Sequence, residues 1–359
     1  MSDVLLRIEG AAGRITLNRP QALNALTHAM VREIHIALDG WRNEPRVTRI
    51  VIDGAGDRAF CGGGDIRFLY DHGRSDPAAC RAFWRDEYRL NAAIASYPKP
   101  FVAIMRGIVM GGGIGVSAHG SHRIVTGTSR LAMPEVSIGF LPDVGGSLLL
   151  ARAPGALGLY LGLTAERFDA ADAIRAGFAD RSVPEAALPD LVAALVAGDP
   201  VDAAIDAGAT DAGTSKLASH QADIDHIFGA DTLAEILRRA EMLRDAKAAP
   251  SERRAFATAT LAALVRHAPL SVACAFETIR RARAFTRIAE ALALEYRFAW
   301  RCLERTDLYE GIRAAIVSRD VPPAWQPATI AEVPAALVDT MLAPLDEDEL
   351  RFAPQEITP

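Results

Sequence analysis

Ala59-Phe60-Cys61-Gly62-Gly63-Gly64-Asp65-Ile66 sets three consecutive glycines between a short apolar run and a polar-apolar one, and Met110-Gly111-Gly112-Gly113-Ile114-Gly115 repeats the device. Neither run matches G-x-G-x-x-G and neither ends in the G-K-[ST] of a P-loop, so a nucleotide-phosphate loop is not indicated. A single glycine loop is ordinarily a tight turn, because glycine tolerates conformations other residues avoid. Two loops that each leave a strand and enter a helix say more. Backbone N–H groups at a helix N-terminus lack intrahelical partners and point outward, ready for negative charge. With no side chains in the way, a bound group can lie directly against them, as in an oxyanion hole.

Outward from the glycines, the first part of the chain alternates between strand and helix patterns. Val4–Ile8 and Ala12–Leu17 read as strands joined by a glycine turn. Asn24 reads as the cap of a helix from Ala25 to Asn43, with Leu26, Met30, Ile34 and Leu38 on one face. Arg49–Asp53, Phe101–Met105 and Arg123–Thr126 are further short strands, and Phe83–Tyr97 is helical, stopped by Pro98 and Pro100. Alternation of this kind predicts an α/β architecture with largely parallel pairing. Near residue 198 the character changes. Gly198–Ser219 reads as a loose connection. Beyond it, helices are expected over Asp231–Ala246, Ser251–Arg266, Leu270–Ala284 and Ile288–Glu304, while Ile312–Ser318 suits either type. The division expected is a β-rich core over 1–197, a mainly helical region over 198–345 and an acidic tail over 346–359.

The composition narrows the classes of function. In 359 residues half are apolar and 23% are charged, enough for a substantial core. The net charge of −6 provides no basic field to gather the phosphates of a nucleic acid. Cys61, Cys80, Cys274 and Cys302 are far apart and form no C-x-x-C pair, so neither a disulfide framework nor a metal site is expected. Phe101–Ala118 is the most membrane-like run, but Arg106 and its glycines interrupt it. No signal peptide is visible at the start, and the location expected is cytoplasmic.

Ordered motifs then carry a resemblance. Asn18-Arg19-Pro20, Leu23-Asn24-Ala25-Leu26, Ala59 to Ile66 and Gly107 to Gly115 resemble, in that order, the crotonase (enoyl-CoA hydratase/isomerase) superfamily. Within it the chain is similar to the 3-hydroxyisobutyryl-CoA hydrolase family. Phe83-Trp84-Arg85-Asp86-Glu87-Tyr88, Ala132-Met133-Pro134-Glu135 and Ile138 to Gly146 carry that narrower match. It continues through Leu294-Glu295-Tyr296-Arg297, Arg319-Asp320 and Trp325-Gln326-Pro327, and is weakest over Leu188–Ser251. The resemblance implies an α/β fold, a spiral of ββα units followed by helices that complete the pocket. It implies hydrolysis of an acyl-CoA thioester in valine catabolism, with no cofactor, since coenzyme A is part of the substrate. Expected partners are that acyl-CoA and further copies of the chain in a homo-oligomer, with neither nucleic acid nor membrane.

The same resemblance assigns the oxyanion donors to the backbone N–H groups of Gly62 and Gly112, and the catalytic carboxylate to Glu135. Hydratases of the superfamily place a second glutamate two residues after the GGG run, where this chain has Gly115. Asp143 and Glu87 fall where the hydrolase family has acidic residues, Asp143 as a second catalytic group and Glu87 in substrate binding. Glu135 would activate water or attack the carbonyl itself. Each acid also has a plainer reading: Glu135 at an exposed helix start, Asp143 as cap of a helix over Val144–Leu150, Glu87 on a solvated face with Arg85 and Arg89. Arg58 is the candidate contact for the phosphates of coenzyme A. Cys61 reads as a small buried residue. Ser117 and His119 invite a serine thioesterase reading, but the run lacks the last glycine of G-x-S-x-G. No H-E-x-x-H supports a zinc hydrolase. The remaining alternatives are an enoyl-CoA hydratase or isomerase and a non-catalytic acyl-CoA-binding scaffold on the same fold.

Overall fold

A computed structural model describes residues 2–305 and 307–357, so the last two residues of the acidic tail and the first of the core lie outside the described part. Strands β1 (Val4–Glu9) and β2 (Ala12–Leu17) form an antiparallel hairpin with Val4 opposite Leu17. After α1 (His28–Arg42) the chain makes three similar passes. The first gives β3 (Arg49–Gly54) and β4 (Ala59–Cys61), then α2 (Ile66–His72) and α3 (Pro77–Ala95). The second gives β5 (Phe101–Met105), β6 (Ile108–Met110) and the single turn α4 (Gly112–Gly115). The third gives β7 (His122–Val125) and β8 (Arg130–Ala132), then a 3-10 turn over Glu135–Ile138.

Each pass therefore adds one strand to each of two sheets. The larger has the order β1-β2-β3-β5-β7-β9, with β9 at Arg181–Ser182, and the smaller has β4-β6-β8. Every pairing after the first hairpin is parallel. This is the expected spiral of ββα units. Its inner strands, such as Phe101–Met105, are buried along their whole length, as parallel sheets covered on both faces must be.

The rest is helical. After α5 (Gly146–Arg152), α6 (Leu157–Thr164) and α7 (Ala170–Arg175) come α8 (Leu188–Ala197) and α9 (Val201–Gly208). Then follow α10 (Lys216–Phe228), α11 (Leu233–Asp245), α12 (Ser251–Arg266), α13 (Pro269–Ala282) and α14 (Ile288–Cys302). The chain continues through α15 (Asp307–Ile312), a π-helical turn over Arg313–Val317, α16 (Ala335–Leu342) and α17 (Pro354–Ile357). Among the described residues no single helix is long and apolar enough to cross a membrane.

Two expectations change. Gly198–Ser219 is not a loose connection: α9 and the start of α10 lie in it. Ala204 and Ile205 join Leu191 and Leu195 of α8 over Val51, Val102 and Ile124 on one face of the large sheet. A run of small residues carries little periodic signal, yet the apolar area it covers makes the helix worth forming. The second change concerns α1. It starts at His28, capped by Thr27, whose Oγ1 accepts the Met30 N–H at 3.2 Å. Asn24 instead sits in a left-handed conformation (φ 55°), and its amide donates to the carbonyls of Ala55 and Ala59, both at 2.9 Å. Its Oδ1 accepts the Arg19 N–H at 2.8 Å. Asn24 thus laces the Pro20–Ala25 loop to the strand leading into the first glycines.

Candidate active site

That loop determines which amides are free. The Gly62 N–H donates to the Leu23 carbonyl at 2.8 Å, the Leu26 N–H donates to Gly63 O at 2.8 Å, and the Asp65 N–H donates to Leu26 O at 2.9 Å. Gly62, expected from the sequence to be an oxyanion donor, therefore has its N–H committed to the backbone. The unpaired amide lies two residues on. Among the described residues neither the Gly64 nor the Gly112 N–H has a protein acceptor. Gly112 is the first residue of α4, where an N–H has no intrahelical partner. The two amides lie side by side: a methyl built on Gly112 would be 3.1 Å from the Gly64 nitrogen. Gly63 (φ 113°) and Gly111 (φ 49°) hold the turns that bring them together. Cys61 is buried beneath them, its thiol pushed up to about 12 by burial, which leaves it a packing group.

A cleft of about 540 Å³ opens over these amides and is also lined by Glu87, Glu135 and Asp143. All three acids are buried, at 2%, 6% and 5% exposure, which removes the solvated-face reading of Glu87 and the exposed helix-start reading of Glu135. Glu87 projects from α3 on the same stripe as Cys80, Phe83, Trp84, Tyr88 and Asn91. The spacing of Cys80, Phe83, Trp84 and Tyr88 was the sequence signal for its burial. Its Oε1 has no protein partner and would lie 2.5 Å from a methyl on Gly112. Glu135 opens the 3-10 turn after Pro134, its carbonyl accepting the Phe140 N–H at 3.1 Å. Its Oε1 would lie 2.9 Å from a methyl on Gly111, and its Oε2 is unpartnered.

Asp143 is not a helix cap. The N-terminus of α5 follows Gly145, and Asp143 Oδ2 instead accepts the Tyr88 hydroxyl at 2.7 Å. Burial pushes its carboxyl up to about 7, against the stabilising Tyr88 hydrogen bond. Burial, reinforced by the charge of Asp143, holds Glu87 well above the usual carboxylate range. Burial raises Glu135 likewise, with Asp143, Glu295 and Glu87 adding to it. Such clustered, buried acids cost stability and are characteristic of sites of chemistry.

The apolar wall is formed in part by Trp84 and Phe140, stacked with ring centroids 5.3 Å apart and planes 14° from parallel. Arg58 is exposed and does not line the cleft, so the structure does not bring it to the site. Arg19 and Arg67 do line it, and the sequence reading missed both. Arg67 stands two residues after Asp65, at the start of the helix leaving the glycine loop, which is where an anion contact could have been sought. Ser117 donates to the Gly113 carbonyl at 2.6 Å, and His119 donates through Nε2 to the Val144 carbonyl at 2.7 Å. Each is occupied by backbone, so the pair is no hydrolytic dyad.

Comparison with known proteins agrees with this construction. The sequence profile of the enoyl-CoA hydratase/isomerase family matches residues 12–342. A protein of Danio rerio named 3-hydroxyisobutyryl-CoA hydrolase, mitochondrial, is 37% identical over 98% of this chain and 92% of its own length. That location differs from the cytoplasmic one expected above. A solved structure from Mycobacterium thermoresistibile, described as a carnitinyl-CoA dehydratase, superposes with a TM-score of 0.92 at 44% identity, covering 99% of this chain and 100% of its own. One from Rhodobacter sphaeroides, described as an enoyl-CoA hydratase, gives 0.89 at 48% identity over 98% and 100%. With two glycine loops, a double-sheet spiral and full-length relatives in common, the chain belongs to the enoyl-CoA hydratase/isomerase, or crotonase, family.

Proposed function

We propose that this protein hydrolyses the thioester of a short 3-hydroxyacyl-CoA, with 3-hydroxyisobutyryl-CoA as its principal substrate. The observation that carries this reading is the set of acids facing the glycine amides. Glu135, Asp143 and Glu87 line the cleft, whereas the position of the second hydratase glutamate is Gly115. No side chain fits there without rearrangement: a methyl on Gly115 would lie 2.7 Å from both Asn91 Nδ2 and Val144 Cβ. No carboxylate can therefore stand at position 115 to share a water with Glu135 in the hydratase manner.

In the reading proposed, the thioester oxygen lies between the Gly64 and Gly112 amides, which meet the negative charge that grows on it. Glu135 supplies the nucleophile, by activating water or by attacking itself. Asp143 and Glu87 take the substrate hydroxyl or the attacking water. Arg19 and Arg67 offer positive charge to the phosphates of coenzyme A. The reaction needs no cofactor beyond the coenzyme A of the substrate. Single turnover in ¹⁸O water separates the two routes, since only direct attack places label in Glu135.

The names of the two full-length structural neighbours favour a second reading, hydration or dehydration of an acyl-CoA. A direct test sets thiol release from 3-hydroxyisobutyryl-CoA beside hydration of crotonyl-CoA. Thiol release is expected to be the faster by orders of magnitude. Rapid hydration without thiol release would replace the hydrolase reading, and binding without either would leave a scaffold.

The pH profile provides an independent check. Glu135 works as the carboxylate, and burial with neighbouring charge raises its proton affinity, so activity is lost as pH falls through that raised value. Burial pushes Asp143 itself up to about 7, and its charge adds to the rise at Glu135. kcat/KM should therefore still be rising as pH passes neutrality. A plateau already reached by about pH 5.5, as an unperturbed carboxylate would give, would contradict the assignment.

A further inference from the structure

Asp143 is followed by a sharp backbone turn that its own sequence does little to hold. Val144 is β-branched yet left-handed (φ 53°), and Gly145 (φ 78°) follows in the same region. A β-branched residue there is strained and persists only where its surroundings over-determine it. Gly145 stands at the cap position of α5 with no side chain to satisfy the helix. The acceptor comes from far along the chain. Glu295, on α14, accepts the Gly145 N–H on Oε2 at 2.8 Å, and on Oε1 both the Ser147 N–H at 3.0 Å and the Ser147 hydroxyl. It is fully buried and does not line the cleft. His119 grips the turn from the other side through the Val144 carbonyl.

The next residue of α14 reaches the same acid by a second path. The Tyr296 ring packs edge-on against Tyr88, centroids 6.0 Å apart, and the Tyr88 hydroxyl donates to Asp143 Oδ2. One helix thus touches Asp143 twice at one remove, through its backbone and through its carboxyl. We infer that Glu295 is a positioning residue for the reaction, setting the placement of the Asp143 carboxyl in the cleft through the Val144–Ser147 backbone. The inference rests on the hydrolase reading, in which Asp143 acts on the substrate. It also gives the helical C-terminal region a task in turnover besides completing the fold.

Glu295→Gln keeps the volume and one acceptor but turns the other oxygen into a donor facing an N–H. It is expected to lower kcat by about 10–100-fold with KM changed less than about 3-fold, measured per folded enzyme after thermal melting. The deciding measurement is a double-mutant cycle with Asp143→Asn. If Glu295 acts through Asp143, Glu295→Gln in that background costs less than about 3-fold more. Additive losses, or a lowered melting temperature with kcat intact, would overturn the inference. If Glu295→Gln does not fold, Ser147→Ala removes only the hydroxyl donor. Its loss of kcat should be about 3–10-fold and should vanish beside Asp143→Asn, while additivity there would again reject the idea. Asp143→Asn with full activity would instead remove the hydrolase role of Asp143, and the inference with it.

Discussion

Glu135→Gln should reduce kcat by about 10³-fold, within the range by which positioned acid–base groups accelerate reactions, while acyl-CoA still binds with nearly unchanged affinity. The reason is local. Glu135 Oε2 is buried with no protein partner, beside the amides and the other acids of the cleft, so the side chain is available for chemistry and contributes little to holding the fold. A glutamine fills the same space but can neither accept a proton from water nor attack a carbonyl. Calorimetric titration with a non-hydrolysable acyl-CoA, beside single-turnover kinetics, measures the two effects separately. A loss of only a few-fold would show that another group does the work.

The same substitution carries a stability signature whose sign follows from burial. Because the folded protein binds the Glu135 proton more tightly than the unfolded chain does, ionising this acid costs folding free energy. That cost is absent below the unfolded value, grows as pH rises above it, and is complete once pH passes the raised folded value. Glutamine has no such cost. The variant should therefore melt higher than the parent in mildly alkaline buffer, with the difference shrinking as pH falls and gone below the ordinary glutamate value of about 4.3. An enzyme that becomes more stable as it loses activity is what strained, charged sites lead one to expect.

Gly112→Ala should cost at least about 10²-fold in kcat, the scale of losing one oxyanion donor. Its methyl would stand 2.5 Å from Glu87 Oε1 and 3.1 Å from the Gly64 nitrogen, in the space between the two amides where the thioester oxygen is to sit. Gly62→Ala is the informative partner. There the nearest contact is the Leu23 side chain at 3.2 Å, and the N–H is already spent on the Leu23 carbonyl, so a loss under about 10-fold is expected. Comparing kcat for the two variants tests the shift of the donor from Gly62 to Gly64. An equally severe loss at Gly62 would return the role to it.

Much of this site was legible along the chain. Glycine runs between strand and helix are a local code, because a turn without side chains is written in consecutive residues. Glu87, Glu135 and Asp143 were legible through the resemblance to the hydrolase family, since taken alone each suited a plainer role at a helix start, a cap or a solvated face. The error at Gly62 has a different origin. Which of three successive amides is free depends on the Leu23 carbonyl, which takes the Gly62 N–H, and on Cys61 Sγ, which takes the Gly63 N–H at 3.4 Å. The reach of Leu23 depends in turn on Asn24 laced to Ala55 and Ala59. Hydrogen-bond accounting across a fold is not a local property. Arg58 failed likewise, because closeness in sequence to a glycine loop does not give the direction in which a side chain leaves it.

The sequence by itself determined the strand–helix alternation, the helical C-terminal region and the two glycine loops, because local backbone preference and apolar periodicity are carried by neighbouring residues. The ββα spiral and the three acids were implied by ordered motifs that resemble the crotonase superfamily. Only the tertiary structure decided that Gly64 rather than Gly62 offers the amide. It alone showed that Asn91 and Val144 close the space at Gly115, and that Glu295 braces the turn bearing Asp143 across a separation of some 150 residues. Those outcomes turn on which groups meet after folding, where each buried N–H and carboxyl must find a partner or be left free for chemistry.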